Sequence, residues 1–339
     1  MARKRLLSGI QPSGVVHLGN YIGAISRWVA TQSEADAFYM IADLHALTLP
    51  YDPEGLEGQT RETAAALIAC GLDPEVVTLF VQSHVSEHTD LCCLLMALAR
   101  VGDLRRMTHF KQKAASEQEE ANAALFAYPI LQAADVLLYQ ADEVPVGEDQ
   151  RQHLEMVTDL AKRFNNAFGD TFVVPRGTMP SSGARVMDLQ EPRAKMSKSS
   201  SSELGTILLS DSDESIRTKI ARAVTDGSGN VGTGPDKPGV TNLVGIYSAL
   251  GEVPASAVVE EFAGRGYGEL KEAVADRVCR KLAPMRARYF ELLDQKAILE
   301  AVLARGAERA REVAGETSAR ARLAMGFNAE QAVALRAGS

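Results

Sequence analysis

Absences narrow this chain before any motif does. Its 339 residues hold only four cysteines, Cys70, Cys92, Cys93 and Cys279, with no C-x-x-C pair and no metal-ligand spacing. That argues against a disulfide framework and a structural zinc site, so no protein-ligated metal is expected, and the thiols read as buried, reduced groups of a cytoplasmic protein. No run approaches the roughly 18 apolar residues of a membrane span. The basic start MARKRLLSGIQ carries an apolar stretch of two residues, too short for a signal peptide. No membrane partner is expected. Positive charge is also wanting: the net charge is −8, so any RNA surface must be a local basic patch on an acidic body. Neither G-x-G-x-x-G nor a Walker A lysine is present, which removes the two common phosphate loops. There is no internal repeat, and the only low-complexity stretch is Ser199 to Ser202. With 46% hydrophobic and 24% charged residues, the chain has material for one large or two moderate domains.

What is there is organised around residues 6–24, LLSGIQPSGVVHLGNYIGA. A short apolar run, Leu6 and Leu7, meets a loop containing Gly9, Pro12, Ser13 and Gly14, and His17-Leu18-Gly19-Asn20 opens an amphipathic helix. Glycines let backbone approach a ligand closely, and the free N–H groups at the positive end of a helix favour phosphate. An ordinary βα turn carries the same punctuation. A second loop, Lys195-Met196-Ser197-Lys198-Ser199, offers two cations and two hydroxyls, suited to the charge of a leaving pyrophosphate. By composition it also fits a solvated basic loop.

Between these, Asp36 to Leu44 and Val76 to Gln82 read as buried strands around a helix at Gly58 to Cys70, a βαβ alternation that argues for a parallel sheet. Helices are expected at Leu91 to Leu98 and Leu104 to Ala124, with a basic cluster at Arg100, Arg105, Arg106, His109, Lys111 and Lys113. Tyr128, Gln132 and Asp135 stand at i, i+4 and i+7 and so share one helical face. A carboxylate among so many apolar neighbours is costly to bury without a donor. Asp135 therefore either bridges within the protein or meets a ligand N–H. Val144 to Gln150 leaves a strand and starts a helix with acidic residues at its dipole's positive end. Ala184 to Leu189 reads as the last sheet strand. Beyond residue 203 the pattern is helical, from Asp213 to Val224 and near Asn242 to Leu250, Ala255 to Phe262, Tyr267 to Leu293 and Lys296 to Val313. Arg277, Arg280, Lys281, Arg286 and Arg288 form a basic side.

Taken in order, HLGNYIGA, DLHALT, YPILQAAD, VPVGEDQRQH and KMSKS resemble the tryptophanyl branch of the class I aminoacyl-tRNA synthetases over nearly the whole chain. The resemblance implies an α/β fold: a doubly wound Rossmann-type parallel sheet catalytic domain over residues 1–203, with a helical insertion, followed by an all-helical anticodon-binding domain over 204–339. It implies a homodimer that activates L-tryptophan with ATP and Mg2+ and transfers it to the terminal ribose of tRNA(Trp). Gln11, Pro12, Ser13, Gly19 and Asn20 would line the ATP phosphates with His17 beside them. Gly147, Glu148 and Asp149 would face the ribose and Val186 the adenine. His17, Asn20, Lys195 and Lys198 would carry the catalytic charge stabilisation, in a KMSKS loop that includes Met196, Ser197 and Ser199. Asp135, Tyr128, Gln132, Gln150 and His45 would form the tryptophan pocket, Asp135 accepting the indole N–H. Gln132 departs from the methionine usual in bacterial members and resembles tyrosyl and eukaryotic tryptophan enzymes, so a tyrosyl branch stays open; so, from another class, does a nucleotide- or RNA-binding paralogue that charges nothing.

Overall fold

The computed structural model describes residues 3–12, 14–48, 50–107, 122–145, 150–178, 185–198 and 202–327. Strand β1 (Arg5–Ile10) leads into α1, which begins as Leu18–Asn20, passes through a π turn at Tyr21–Ile25 and ends as Ser26–Thr31. Strand β2 (Asp36–Ile41) follows, then a 3-10 turn at Asp43–Thr48. Helix α2 (Pro53–Ala69) starts on Asp52, whose carboxylate accepts the N–H groups of Glu54 and Gly55, with Pro53 supplying a preset first φ. Strand β3 (Thr78–Val81), α3 (Glu87–Met96) and α4 (Val101–Arg106) complete the first half.

Helix α5 (Ala123–Leu138) is capped by Asn122, and β4 (Glu143–Pro145), α6 (Arg151–Phe168) and β5 (Arg176–Thr178) follow. Helices α7 (Asp213–Ala221), α8 (Pro238–Gly251), α9 (Ala255–Glu261), α10 (Tyr267–Asp294) and α11 (Lys296–Ala324) make the helical section. Among the described residues no single helix is long and apolar enough to cross a membrane.

The strands pair in parallel in the order β3-β2-β1-β4-β5. This is the doubly wound arrangement. β2 alternates its side chains between two layers: Ala37, Tyr39 and Ile41 join the core under α1, α2 and α10, while Phe38 and Met40 join the one under α3, α5, α6 and α11. Both faces are covered, so the strand carries no charged residue from Ala37 onward. The chain reverses direction across the sheet between β1 and β4, and ligands of such sheets bind at that switch point, beyond the strands' carboxyl ends.

Two expectations need correction. The last sheet strand is Arg176–Thr178, a polar edge that shows no apolar alternation. The apolar run ending at Leu189 instead makes a single antiparallel bridge, Met187 to Lys195. Its cause is Asp188, whose carboxylate takes the N–H groups of Gln190 and Glu191 at 2.7 and 2.9 Å and turns the chain back on itself. The helix expected from Leu104 to Ala124 is interrupted: α4 stops at Arg106, Asn122 caps a new helix, and residues 108–121 lie outside the described ones.

The helical section is not a separate body. α10 packs on α2, and α11 returns to lie along β3, the edge strand, and α3. Gly306 permits that approach, since a Cβ there would stand 1.8 Å from the Leu79 carbonyl oxygen. Gly306→Ala should therefore destabilise the protein by about 2 kcal/mol or more in urea melts, the scale of core overpacking; an unchanged midpoint would mean α11 does not seat there.

Candidate active site

His17 is where β1's loop turns into helix. Its backbone is extended, its Nδ1 accepts the Asn20 N–H at 3.2 Å, and its own N–H donates to Asn20 Oδ1 at 3.2 Å, a reciprocal cap. The ring's proton is thereby left to Nε2. Burial, then the charges of Lys198 and Lys195, lower the His17 pKa to about 4, so the imidazole is neutral near pH 7 and acts as a donor without charge. The helix start is less open than its glycines suggest. Leu18 N–H goes to the Ile207 carbonyl at 2.8 Å and Asn20 N–H to His17, leaving the Gly19 N–H without a partner among the described residues.

The lysine loop is held against this cap from both ends. Upstream, Met196 N–H donates to the Val186 carbonyl at 3.1 Å, and Asn242 clamps Met187 through both its N–H and its carbonyl at 2.8 Å. Downstream, Thr206 Oγ1 donates to the Ser197 carbonyl at 2.7 Å, and residues 207–209 zip antiparallel onto 16–18. Lys219, a buried cation, ties that segment down through Thr206 O at 2.9 Å and Asp211 Oδ2 at 2.6 Å. The two loops consequently touch. A Cβ on Gly19 would lie 3.4 Å from Met196 Cβ, and one on Gly14 would lie 3.4 Å from Lys198 Nζ. Burial pushes the Lys198 ammonium down to about 8, against the pull of Glu62. Lys195 is exposed and Met196 buried, the alternation that anchors the loop by its methionine.

A second cluster lies beyond β2 and β3, at the same end of the sheet. Asp135 is 2% exposed on α5. Its Oδ2 meets His45 Nε2 at 2.9 Å, and its Oδ1 meets His88 Nδ1 at 2.6 Å and Gln82 Nε2 at 2.7 Å. Burial alone would raise its pKa; the bonds from His45 and His88 outweigh that and hold it down at about 2, so the carboxylate is ionised. Along the same helix face, the Tyr128 hydroxyl pairs with His153 Nε2 at 2.5 Å, and the Gln132 amide reaches Gln150 Oε1 at 3.4 Å.

Of the candidate residues, Gln11 is exposed and Pro12 buried at the mouth of β1, while Gly19, Asn20, Met196 and Lys198 lie about His17, with Val186 bonded to Met196 and Ser197 to Thr206. Ser13, Gly147, Glu148, Asp149 and Ser199 lie outside the described residues. Sequence reasoning missed His88, Gln82 and Tyr139 behind Asp135, and Thr206, Lys219 and Asn242 behind the lysine loop. Gln82 alone had a signal, its place at a strand's carboxyl end. The basic side of α10 is partly spent internally: Arg277 stacks 3.4 Å over the Tyr247 ring, and Arg286 bonds the Asp211 carbonyl and Asp213. Three cysteines are buried, with Cys70 and Cys92 pushed up to about 12; Cys93 is exposed, contrary to expectation. Among the described residues no three His, Cys, Asp or Glu side chains gather as a metal site.

Residues 2–283 match the family model described as tRNA synthetases class I (W and Y). The chain belongs to that family. This class I synthetase is 49% identical over 328 residues to tryptophan–tRNA ligase 2 of Streptomyces avermitilis, covering 96% of this chain and 97% of the relative. It is 47% identical to the tryptophan–tRNA ligase of Gloeobacter violaceus, over 96% and 97% of the two chains. Its fold superposes with a TM-score of 0.87 on tryptophanyl-tRNA synthetase from Mycoplasma pneumoniae, 34% identical, covering 97% and 99%. The Campylobacter jejuni tryptophanyl-tRNA synthetase complexed with ADP and tryptophan gives 0.82 at 32% identity, covering 95% and 100%.

The His17 environment has a measurable signature. Its folded pKa lies below the ordinary 6.5, so the unfolded chain takes the proton first. Stability from this residue is complete above about pH 6.5 and is lost as the pH falls to about 4. Urea melts from pH 7 to 4 should show that decline, and His17→Gln should flatten it; parallel slopes would contradict the buried neutral imidazole.

Proposed function

We propose that this chain charges tRNA(Trp) with L-tryptophan in two steps. The tryptophan carboxylate attacks the α-phosphorus of ATP and pyrophosphate leaves, giving tryptophanyl-adenylate; a hydroxyl of the tRNA's terminal ribose then takes the aminoacyl group and AMP leaves. The single observation that carries this reading is the closure of the His17 cap against the lysine loop, with an ionised, buried acceptor at the same end of the sheet.

Each group has a definite task. His17 Nε2–H, the Gly19 N–H and the Asn20 amide nitrogen donate to phosphate oxygens without adding charge. Lys195 and Lys198 balance the charge that builds on the departing pyrophosphate, and the burial of Lys198 strengthens its field. Catalysis is then a matter of position and electrostatics, with no covalent step at a side chain. Val186 lies against the adenine, and Gln11, Pro12, Ser13, Met196, Ser197 and Ser199 complete the nucleotide site, with Gly147, Glu148 and Asp149 on the ribose. Mg2+ enters with ATP, bound by phosphate oxygens and water.

The Asp135 carboxylate accepts the indole N–H through Oδ2, which among the described residues has one donor where Oδ1 has two. Tyr128, Gln132, Gln150 and His45 enclose the amino acid. Residues 204–339 supply the anticodon-binding part of a cytoplasmic homodimer, an assignment that rests on family resemblance.

Exchange of labelled pyrophosphate into ATP should occur with tryptophan and not with tyrosine; exchange with tyrosine would hand the pocket to Gln132, and none with either would leave a non-charging paralogue. Lys195→Ala should slow tryptophan-dependent exchange about 10²-fold or more, the usual loss for one charge-stabilising donor. Full exchange by that variant would remove Lys195 from the mechanism.

A further inference from the structure

Behind Asp135 stands a chain of buried polar groups that the reaction itself does not use. His88, on α3, is fully buried. One ring nitrogen, Nδ1, lies 2.6 Å from Asp135 Oδ1, and the other, Nε2, lies 2.8 Å from the Tyr139 hydroxyl. The ring stacks on Phe80 at 6.0 Å. Burial raises the Tyr139 pKa well above its ordinary value, so the phenol keeps its proton, and its hydroxyl pairs with Nε2. Asp135 is ionised and can only accept, so His88 Nδ1 bears a proton and donates to it. Gln82 is oriented in the same way, its Oε1 accepting the Leu44 N–H at 3.1 Å while its amide nitrogen donates to Asp135 Oδ1.

Oδ1 thus holds two donors and is filled, whereas among the described residues Oδ2 holds only His45. A carboxylate oxygen has two lone pairs, so Oδ2 is the one that can take another donor. We propose that His88 is a positioning residue for amino-acid specificity: by occupying Oδ1 it turns the remaining lone pair of Asp135 toward the pocket and keeps that carboxylate an acceptor only. This rests on the reading that Asp135 receives the indole N–H. Without the His88 donor, Oδ1 is held by Gln82 and keeps a vacant lone pair, so the carboxyl is less firmly fixed and takes a proton more readily, and the preference for a ring N–H weakens.

The ring's two nitrogens can be tested apart. Asn places its amide nitrogen near the position of Nδ1, and Gln places its amide near Nε2. His88→Asn keeps the bond to Asp135; His88→Gln keeps only the one to Tyr139. Pyrophosphate exchange by the full-length protein would be measured with tryptophan and with an analogue carrying benzothiophene in place of indole, which lacks the N–H. His88→Gln should narrow the wild-type preference for tryptophan by about tenfold or more, the worth of one hydrogen bond to a charged group, with KM for ATP unmoved, and His88→Asn should retain most of it. Equal losses in both variants, or an intact preference in His88→Gln, overturn the proposal. If His88→Gln fails to fold, His88→Ala, which keeps neither bond, replaces it, and unchanged preference there is equally fatal. A wild-type protein that uses both amino acids alike would refute the role of Asp135 itself, and the proposal with it.

Discussion

The antiparallel zip between residues 16–18 and 207–209 is the contact on which the site depends. It joins two segments far apart in the chain, the first leaving β1 and the second entering the helical section, and so makes one wall from two loops. Neither loop is rigid by composition, being rich in glycine, serine and lysine. The backbone bonds of the zip, the Asn242 clamp and the Lys219 anchor hold them in register. Gly205 belongs to the same construction, since a Cβ there would stand 2.3 Å from the Asp188 carboxylate.

The two clusters solve the problem of burying ionisable groups in opposite ways. His17 loses its charge, because burial and two nearby lysines all disfavour the cation. Asp135 keeps its charge, because three donors from three separate elements converge on it. An unpaired carboxylate in that position would be costly, and a half-satisfied network costlier than an apolar core. The first cluster offers neutral donors beside cations, fit for phosphate. The second offers a fixed acceptor, fit for an N–H.

Much of this was legible in the chain. β1 to β3 announce themselves by apolar runs between turn residues, and the i, i+4, i+7 face of Tyr128, Gln132 and Asp135 placed one wall of the second cluster. Both readings of Asp135 retain force: it is bridged within the protein, and it keeps one acceptor position. What the chain hid is of two kinds. β5 is Arg-Gly-Thr on a sheet edge, where pairing needs no apolar side chain. His88, Gln82 and Lys219 are single polar residues in otherwise ordinary segments, and only the packing of α3, β3 and α7 against their neighbours brings them to their partners. Long-range polar contacts of that kind leave no period in a sequence.

The seating of α11 on β3 has a consequence for how the chain is made. A sheet edge left open is a template for pairing with other chains, and here the cover is supplied by a helix that begins 215 residues after the strand ends (296 − 81). Ala307, Ala310, Val313 and Ala314 of that helix also complete the core that contains Phe80 and Leu91. Elongation at about 5–20 residues per second leaves β3 waiting roughly 10 to 50 seconds for its cover. During that interval β3, with Gln82 just beyond it, lacks the helix that covers its outer side.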